Sequence, residues 1–314
     1  MMQVVLTPII SIWYGVMRKL RTWNVATIRE AYDLPAVAEY TPAKLPDASD
    51  IWKIESQELV GIEVEVENQA HRRVTNPVWT RTEDGSLRNS GIEFISRPIR
   101  ACHAPAALKH LFVGDFDEEY CFSPRTSVHV HLNMQDVDGA KVIDFIMVYS
   151  LFERCLYRFV GRGRWRNIYC TPITETLLLQ NLATHGIRSP WEKYTGLNIL
   201  PLREHGTIEF RHMHGTFDTK KLCVWIDLIT RLKAYVLKHK TDEIRRTIIN
   251  FNGGQINDFA LAVFGELAEF LQISDPNEVI SRVAVIKMGM AKPDSLNIVL
   301  LKTRDLKSKF FQVK

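Results

Sequence analysis

Four separated segments of the chain alternate apolar and polar residues with a period of two, which is the pattern of half-buried β-strands. They are residues 59–67, 91–96, 127–133 and 206–214. Apolar residues at helical spacing predict long amphipathic helices over residues 140–159 and 220–239. Separated strands interrupted by helices predict an α+β fold in which helices cover one sheet face. The other face is then free to carry a site.

The remaining segments predict extensions on both sides of this sheet. The 314 residues suffice for about two domains, or for one large domain with additions. We predict an N-terminal extension over residues 1–50, a main domain over 51–240 and a helical C-terminal region over 241–314. Shorter helices are expected near residues 25–32, 256–271 and 278–288.

Composition and charge narrow the classes of partner and compartment. The chain has 40 Lys and Arg against 36 Asp and Glu, and its basic residues are scattered, so bulk charge does not favour nucleic-acid binding. Five widely spaced cysteines without a C-x-x-C pair indicate a reducing compartment. The apolar stretch 4–17 is shorter than the roughly 20 residues of a membrane helix, and basic residues follow it instead of preceding it. We therefore expect a cytoplasmic protein with no membrane partner.

The polar faces of the four strands carry acidic, imidazole and guanidinium groups. Residues two apart on a strand project from the same face. The groups are Glu63, Glu65 and Glu67, then Glu93, then His129 and His131, and finally Glu209 with Arg211. Each has an ordinary alternative when taken alone: a solvated acidic edge, a surface glutamate, structural histidines, or a surface ion pair worth about 0 to 1 kcal/mol. Together they predict a polar cleft lined by a curved sheet.

Acidic clusters combined with Arg and His suit a phosphorylated ligand. Mg²⁺ is bound by carboxylates together with substrate phosphates, and Arg matches the remaining phosphate oxygens, so ATP is the simplest candidate. The chain has no Walker sequence, and Gly161 and Gly163 lack the rest of a G-x-G-x-x-G turn. The basic run that includes Arg164 and Arg166 either binds phosphate or a carboxylate substrate, or is a solvated turn.

Five short motifs in a fixed order resemble the amidoligase family. They are G-I-E-V-E at Gly61, D-G-S-L at Asp84, G-I-E-F-I-S at Gly91, S-V-H-V-H at Ser127 and T-I-E-F-R at Thr207. This family belongs to the carboxylate-amine ligase superfamily, which includes glutamine synthetase and glutamate-cysteine ligase. The resemblance extends over about residues 59–239 and leaves both terminal segments unassigned.

The resemblance implies a fold of the glutamine-synthetase catalytic type, in which a strongly curved antiparallel sheet forms a funnel around divalent metals. The implied cofactors are ATP and Mg²⁺ or Mn²⁺. The implied metal ligands are Glu63, Glu65, Glu93 and Glu209, and Glu209 is also counted with the catalytic residues. His129 and His131 are implied contacts of phosphate or metal. Arg211 resembles the arginine that stabilises the transferred phosphoryl group, Arg164 or Arg166 holds phosphate or the acidic substrate, and Asp84 and Ser86 resemble a substrate-side loop.

The implied activity is ATP-dependent joining of a small-molecule or peptide carboxylate to an amine through an acyl phosphate. One alternative is an inactive binding or structural module on the same fold, whose terminal additions dock a partner or assemble into an oligomer. Another is a metal-dependent hydrolase that uses the same acids and histidines without consuming ATP. Neither the acid nor the amine is identified by the sequence.

Overall fold

The computed structural model describes residues 26–69, 73, 77–113, 121–161, 163–251 and 255–273. Within them, seven strands form one antiparallel sheet. The strands are β1 (Leu59–Val66), β2 (Trp79–Glu83), β3 (Ile92–Ser96), β4 (Ile99–Arg100), β5 (Ser127–Asn133), β6 (Leu197–Asn198) and β7 (Thr207–His214). Their spatial order is β2-β3-β1-β5-β7-β6, and β4 pairs with the start of β1. Strands distant in sequence are therefore neighbours at the centre of the sheet.

The described α-helices are α1 (Ile28–Ala31), α2 (Ala104–Leu111), α3 (Gly139–Val160), α4 (Leu178–His185), α5 (Thr219–Lys238), α6 (Thr241–Asn250) and α7 (Ile256–Phe264). Short 3₁₀ turns connect them, including Arg164–Arg166 and Gly265–Leu271. Among the described residues, no helix combines the length and apolar character needed to cross a membrane.

The two long helices begin at aspartate caps. The Asp138 carboxylate accepts a hydrogen bond from the Lys141 backbone N–H at 2.8 Å, and Asp218 accepts one from Lys221 at 2.9 Å. Such caps satisfy an N–H group that has no partner within the helix, and they stabilise a helix by about 1 kcal/mol. Helix α3 ends at Gly161, whose φ of 122° is costly for other residues. Both helices match their predicted spans to within about one residue.

Helices α3 and α5 pack on one face of the sheet. Phe210 of β7 is fully buried there, with its ring centroid 6.1 Å from that of Phe145 and 6.0 Å from that of Trp225. Alternate residues of β1, such as Ile62 and Val64, are buried in the same core. Burial of each such side chain stabilises the fold by about 1.5–3 kcal/mol. The predicted α+β class with helices on one face is confirmed.

The C-terminal helices share this core. Phe152 of α3 contacts Phe259 and Phe264 of α7, with centroids 5.4 and 5.0 Å apart. The helix predicted over 256–271 is α7 followed by a 3₁₀ turn, because Gly265 adopts a φ of +59° that ends the α-helix. The helix predicted near 278–288 lies outside the described residues, and so does the apolar stretch 4–17. The three domain boundaries stay predictions.

Two of the short elements were not predicted from the sequence. Residues 68–88 contain β2, an edge strand of five residues. Residues 155–194 contain the end of α3 and also α4, which lacks a side-chain cap. Because both elements are short, tertiary contacts stabilise them more than local sequence does. One such contact is the hydrogen bond from the Trp79 indole to the Ala107 carbonyl oxygen.

Candidate active site

The register of the central strands brings the polar residues into one row of cross-strand pairs. Glu65 lies opposite Glu93, and Glu63 lies opposite His129. His131 lies opposite Glu209 of β7. Directly paired residues project from the same face with Cβ atoms about 5 Å apart. The free face of the sheet therefore gathers acids that are up to 146 residues apart in sequence, from 63 to 209.

A cleft of about 640 Å³ opens on this face. It is lined by nearly all the side chains predicted for the site, namely Glu63, Glu65, Asp84, Ser86, Glu93, His129, His131, Arg164, Glu209 and Arg211. The predicted acids thus converge in one cavity. Their roles stay predictions.

His129 lies at the centre of the acidic residues. Its Nδ1 atom is 3.1 Å from Oε2 of Glu63 and 3.4 Å from Oε1 of Glu209. Its Nε2 atom is 2.8 Å from the Ser127 hydroxyl and 3.9 Å from Oε1 of Glu65. The ring is almost fully buried, so these short separations act with little screening by water.

The environment separates the pKa values of two neighbouring glutamates. Burial acts to raise the pKa of Glu63, but hydrogen bonds from His129 and His131 outweigh it and hold that pKa well below its ordinary value. Burial, followed by the charges of Glu63 and Glu65, raises the pKa of Glu93 to about 8. Without a cation, Glu63 is therefore ionised at neutral pH while Glu93 keeps its proton.

Two other carboxylates are fixed by neighbouring polar groups. Oε2 of Glu65 accepts hydrogen bonds from the Ser127 backbone N–H at 2.8 Å and from the Ser127 hydroxyl at 2.6 Å. Oε2 of Glu209 accepts one from the Asn198 amide at 2.7 Å, while its Oε1 pairs with the Arg211 guanidinium. Burial acts to raise the pKa of Glu209, but His129 and Arg211 outweigh it and keep that pKa below its ordinary value.

The basic side of the cleft is built around β7. Arg211 is 8% exposed, and its guanidinium carbon lies 6.0 Å from the ring centroid of Tyr194. Tyr194 in turn contacts Tyr169 edge-on, with centroids 5.4 Å apart, and both rings are exposed at the rim. Arg164 is also buried, and it donates to the backbone oxygens of Arg211 at 2.6 Å and His212 at 2.7 Å. Arg164 therefore anchors the strand that carries Arg211.

Arg166 lies outside the cleft, so its proposed role in phosphate or substrate binding is not supported by its position. It lines a separate cavity together with Arg154, Arg158 and Trp165. The physical reason is the 3₁₀ turn Arg164–Arg166, in which residues two apart point in different directions around a three-residue turn. One arginine of the pair therefore faces the cleft and the other faces away.

Asp84 and Ser86 lie at the rim of the cleft. The Asp84 carboxylate accepts a hydrogen bond from the Ser86 backbone N–H at 2.8 Å, which forms a tight turn after β2. The Ser86 carbonyl oxygen accepts one from the Arg125 guanidinium at 3.1 Å. The turn is thereby linked to the loop that precedes β5.

Several lining residues were not identified from the sequence as site residues. Ser127 shares the face of His129 by strand parity, so the period-two pattern could have found it. Asn198 lies opposite Glu209 on a strand of only two residues, too short to leave a pattern. Tyr169, Tyr194 and Arg125 come from loops, and their sequence carries no signal for their approach to the cleft.

The donor set fits a hard divalent cation. Within the part of the chain that the structure describes, two groups of three side chains offer ligand atoms within 4.8 Å of one another, and His129 belongs to both. The other members are Glu63 and Glu209 in one group and Glu65 and Glu93 in the second. Clustered carboxylates with a free side facing a cavity are the ligands of Mg²⁺ or Mn²⁺ that leave room for phosphate oxygens.

The fold and the cleft define a mixed α/β protein with an acidic cleft beside a buried arginine. Residues 118–233 match the family described as "Putative amidoligase enzyme". The match covers a little over a third of the chain; it confirms the resemblance found in the sequence over this segment and suggests ligase activity. The matched residues include His129, Glu209 and Arg211, while the acids of β1 and β3 precede them. A search of curated proteins found no match.

Proposed function

We propose that the protein is an ATP-dependent carboxylate-amine ligase whose curved sheet is a funnel of the glutamine-synthetase type. The observation that carries this proposal is the convergence of four carboxylates on His129 beside the buried Arg211. Acids at this density repel one another, whereas a bound cation and a phosphorylated ligand make them complementary. A cytoplasmic location stays a prediction.

In the first step, a carboxylate oxygen of the acid attacks the γ-phosphorus of ATP. The bond to the β,γ-bridging oxygen breaks, so an acyl phosphate and ADP form. Glu63, Glu65, Glu93, Glu209 and His129 would hold Mg²⁺ or Mn²⁺, which when bound neutralises charge on the phosphates. Arg211 supplies a fixed positive charge for the transferring phosphoryl group, and Arg164 keeps the backbone of Arg211 in place.

In the second step, the amine nitrogen attacks the acyl carbon. The ammonium gives up one proton before the attack, and the nitrogen passes a second proton to the departing phosphate as the amide forms. The carbon–oxygen bond to phosphate breaks and inorganic phosphate leaves. A carboxylate of the cleft that is not engaged by a cation is suited to accept the first proton.

The rim beside Arg211 suits the nucleotide. Tyr169 and Tyr194 present exposed rings on which a purine could stack, and Lys193 and Arg125 place positive charge nearby. The phosphates would then extend inward towards the acids. This orientation leaves the opposite end of the cleft for another substrate.

The proposal is tested by measuring ADP release with Mg²⁺, ATP and a panel of amino-acid and peptide carboxylates, with and without amines. We expect release that requires both an acid and the metal and that increases with an amine. The Glu63→Gln variant should lose metal-dependent ATP binding in calorimetry while keeping its fold by circular dichroism. Glu192→Gln, at an exposed residue, is the matched control and should behave as the wild type.

The two alternatives give different results in the same experiment. Cleavage of substrate without nucleotide would instead identify a metal-dependent hydrolase. Intact binding of Mg²⁺ and ATP without turnover on any acid would favour an inactive module. An equal nucleotide affinity in Glu63→Gln and wild type would remove the acidic cluster from the mechanism.

A further inference from the structure

A second cavity of about 430 Å³ adjoins the acidic cleft on the same face of the sheet. We call it the side chamber. Glu63, His131, Glu204 and His205 line both cavities, so these residues form the border between them. The side chamber therefore lies directly beside the proposed reaction centre.

The side chamber is mainly apolar. Its floor is formed by Leu59, Gly61 and Ile95 of the sheet, with Pro98 beside them. Residues 35–38 form its cover, and Val37 is half-buried there. This lining suits an aliphatic or aromatic group, because apolar surface removed from water contributes about 25 cal/mol per Å².

The cover is fixed at both ends. The Leu34 backbone N–H donates to the Arg29 carbonyl oxygen at 2.9 Å, and the Tyr40 N–H donates to that of Pro98 at 2.8 Å. Next to it, Arg100 forms a bidentate ion pair with Glu39 at 2.6 and 2.7 Å. The backbone on both sides of the cover is thus anchored to the rest of the fold.

Charge differs sharply between the two cavities. The cleft is lined by four basic side chains, Arg125, Arg164, Lys193 and Arg211. Among the described residues that line the side chamber, none is Lys or Arg, and the acids are Glu63 and Glu204. Of its two imidazoles, His131 is already paired with Glu63, with 3.1 Å between Nε2 and Oε1, and His205 is at the border. A carboxylate in the side chamber would therefore face two carboxylates and no Lys or Arg. An ammonium at the border would face the same two carboxylates favourably.

We infer that the side chamber binds the amine substrate, and that this substrate is a primary amine with an apolar body and no carboxylate of its own. The inference rests on the proposed ligase function, and it names the substrate class that this function leaves open. The apolar body lies over Gly61, and the nitrogen lies at the border near Glu63 and Glu204. The acid and the nucleotide keep the basic side of the cleft.

Gly61 sets the depth of the side chamber. It shares the sheet face of Glu63, and a Cβ atom added there would lie 3.5 Å from Cβ of His131, which is ordinary contact. A larger side chain at this position would therefore extend into the side chamber without a backbone clash. The absence of a side chain at this position leaves space above the strand for a ligand.

The test measures binding of three small probes by calorimetry to the full chain, in the presence of Mg²⁺ and a non-hydrolysable ATP analogue. The probes are ethylamine, pentylamine and norleucine, and norleucine is pentylamine with an added carboxylate. We expect pentylamine to bind on the order of tenfold to sixtyfold more tightly than ethylamine, from about two- to fourfold for each methylene. We expect norleucine to bind at least about tenfold more weakly than pentylamine, because its carboxylate meets Glu63 and Glu204.

Two filling variants and one control complete the test. Gly61→Leu should remove the preference for pentylamine, and Val37→Phe should do the same from the cover, outside the sheet. Gly163→Leu is the matched control, since an added Cβ there meets no atom within 4 Å and lies away from the side chamber. Binding of the ATP analogue, measured separately, should be unchanged in all three.

Failure of the inference and failure of the proposed function are distinguishable. If the ATP analogue binds but pentylamine does not, or if norleucine binds as tightly as pentylamine, the side chamber is not an amine site. Persistence of the chain-length preference in both filling variants overturns the inference as well. If pentylamine binds with the expected preferences and no nucleotide binds, the side chamber is an amine site and the ligase function is wrong.

Discussion

Replacing Glu93 with glutamine should stabilise the metal-free protein, although Glu93 lies in the proposed metal site. Burial and the charges of Glu63 and Glu65 raise the pKa of Glu93 to about 8 in the folded state. An unfolded chain restores the ordinary value of 4.5. Glutamine has nearly the same shape and carries no charge, so Glu93→Gln removes the free-energy cost of ionising a buried carboxyl group beside two other carboxylates.

The magnitude follows from proton linkage. A carboxyl whose folded pKa is raised contributes full stability below pH 4.5, and that contribution is lost as the pH rises towards 8. At about 1.4 kcal/mol per pH unit, the loss at pH 7 is on the order of 3 kcal/mol, with the remainder lost by pH 8. The free energy of unfolding of the variant should therefore equal that of the wild type near pH 4.5, and it should exceed the wild-type value by a growing margin as the pH rises.

The assay is urea unfolding of both proteins in a chelator at pH 5, 7 and 8.5. Glu192→Gln serves as the control, since that glutamate is exposed and outside the cleft, and it should stay within about 0.5 kcal/mol of the wild type. Added Mg²⁺ should then stabilise the wild type more than Glu93→Gln. A variant less stable than the wild type at pH 8.5, or a difference that does not grow with pH, would refute the reasoning.

Two further predictions concern the arginine of the cleft and the packing of α6. Arg211→Ala should raise the activation barrier for phosphoryl transfer, measured as ADP formation, by about 2.7 to 4 kcal/mol, as for the loss of one preorganised donor. An unchanged turnover would exclude Arg211 from the mechanism. Burial raises the pKa of Asp144 in α3 to about 6 against the opposing charge of Arg245, which donates to it at 3.0 Å. Arg245→Met removes the ion-pair partner of this buried carboxylate, so the free energy of unfolding should fall by about 3–5 kcal/mol at pH 8 and by much less at pH 5, where Asp144 is protonated. Urea unfolding at the two pH values measures it, and an equal loss at both would contradict the assignment.

The sequence predicts which residues share a face of each strand. Side chains alternate between the two faces, so the apolar set identifies the buried face and the remaining residues lie on the other. In β7, the buried Phe210 places Glu209 and Arg211 on the opposite face. The register could not be predicted in the same way. The pairings of Glu63 with His129 and of His131 with Glu209 join strands far apart in the chain, and no local pattern states which residues lie opposite each other.

Loop residues were the hardest part of the site to predict. Arg164 and Arg166 look alike in a basic run, and only the 3₁₀ turn decides that Arg164 faces the cleft. The contact of Tyr194 with Arg211 depends on a loop held by the hydrogen bond from the Thr171 N–H to the Tyr194 carbonyl oxygen. Such positions are set by tertiary contacts, which have no periodic signature in the sequence.

The precision of the candidate site depends on the aromatic core behind it. Glu209 and Arg211 flank Phe210, and that ring is held between Phe145 and Trp225 of the covering helices. Because a close-packed interior tolerates little change in volume, β7 cannot shift without disturbing these contacts. The helices thereby fix the spacing between the acids of β1 and the arginine of β7 from the opposite face. A cluster of like charges can be held at short distance only on such a support, since its own repulsion would otherwise spread the strands.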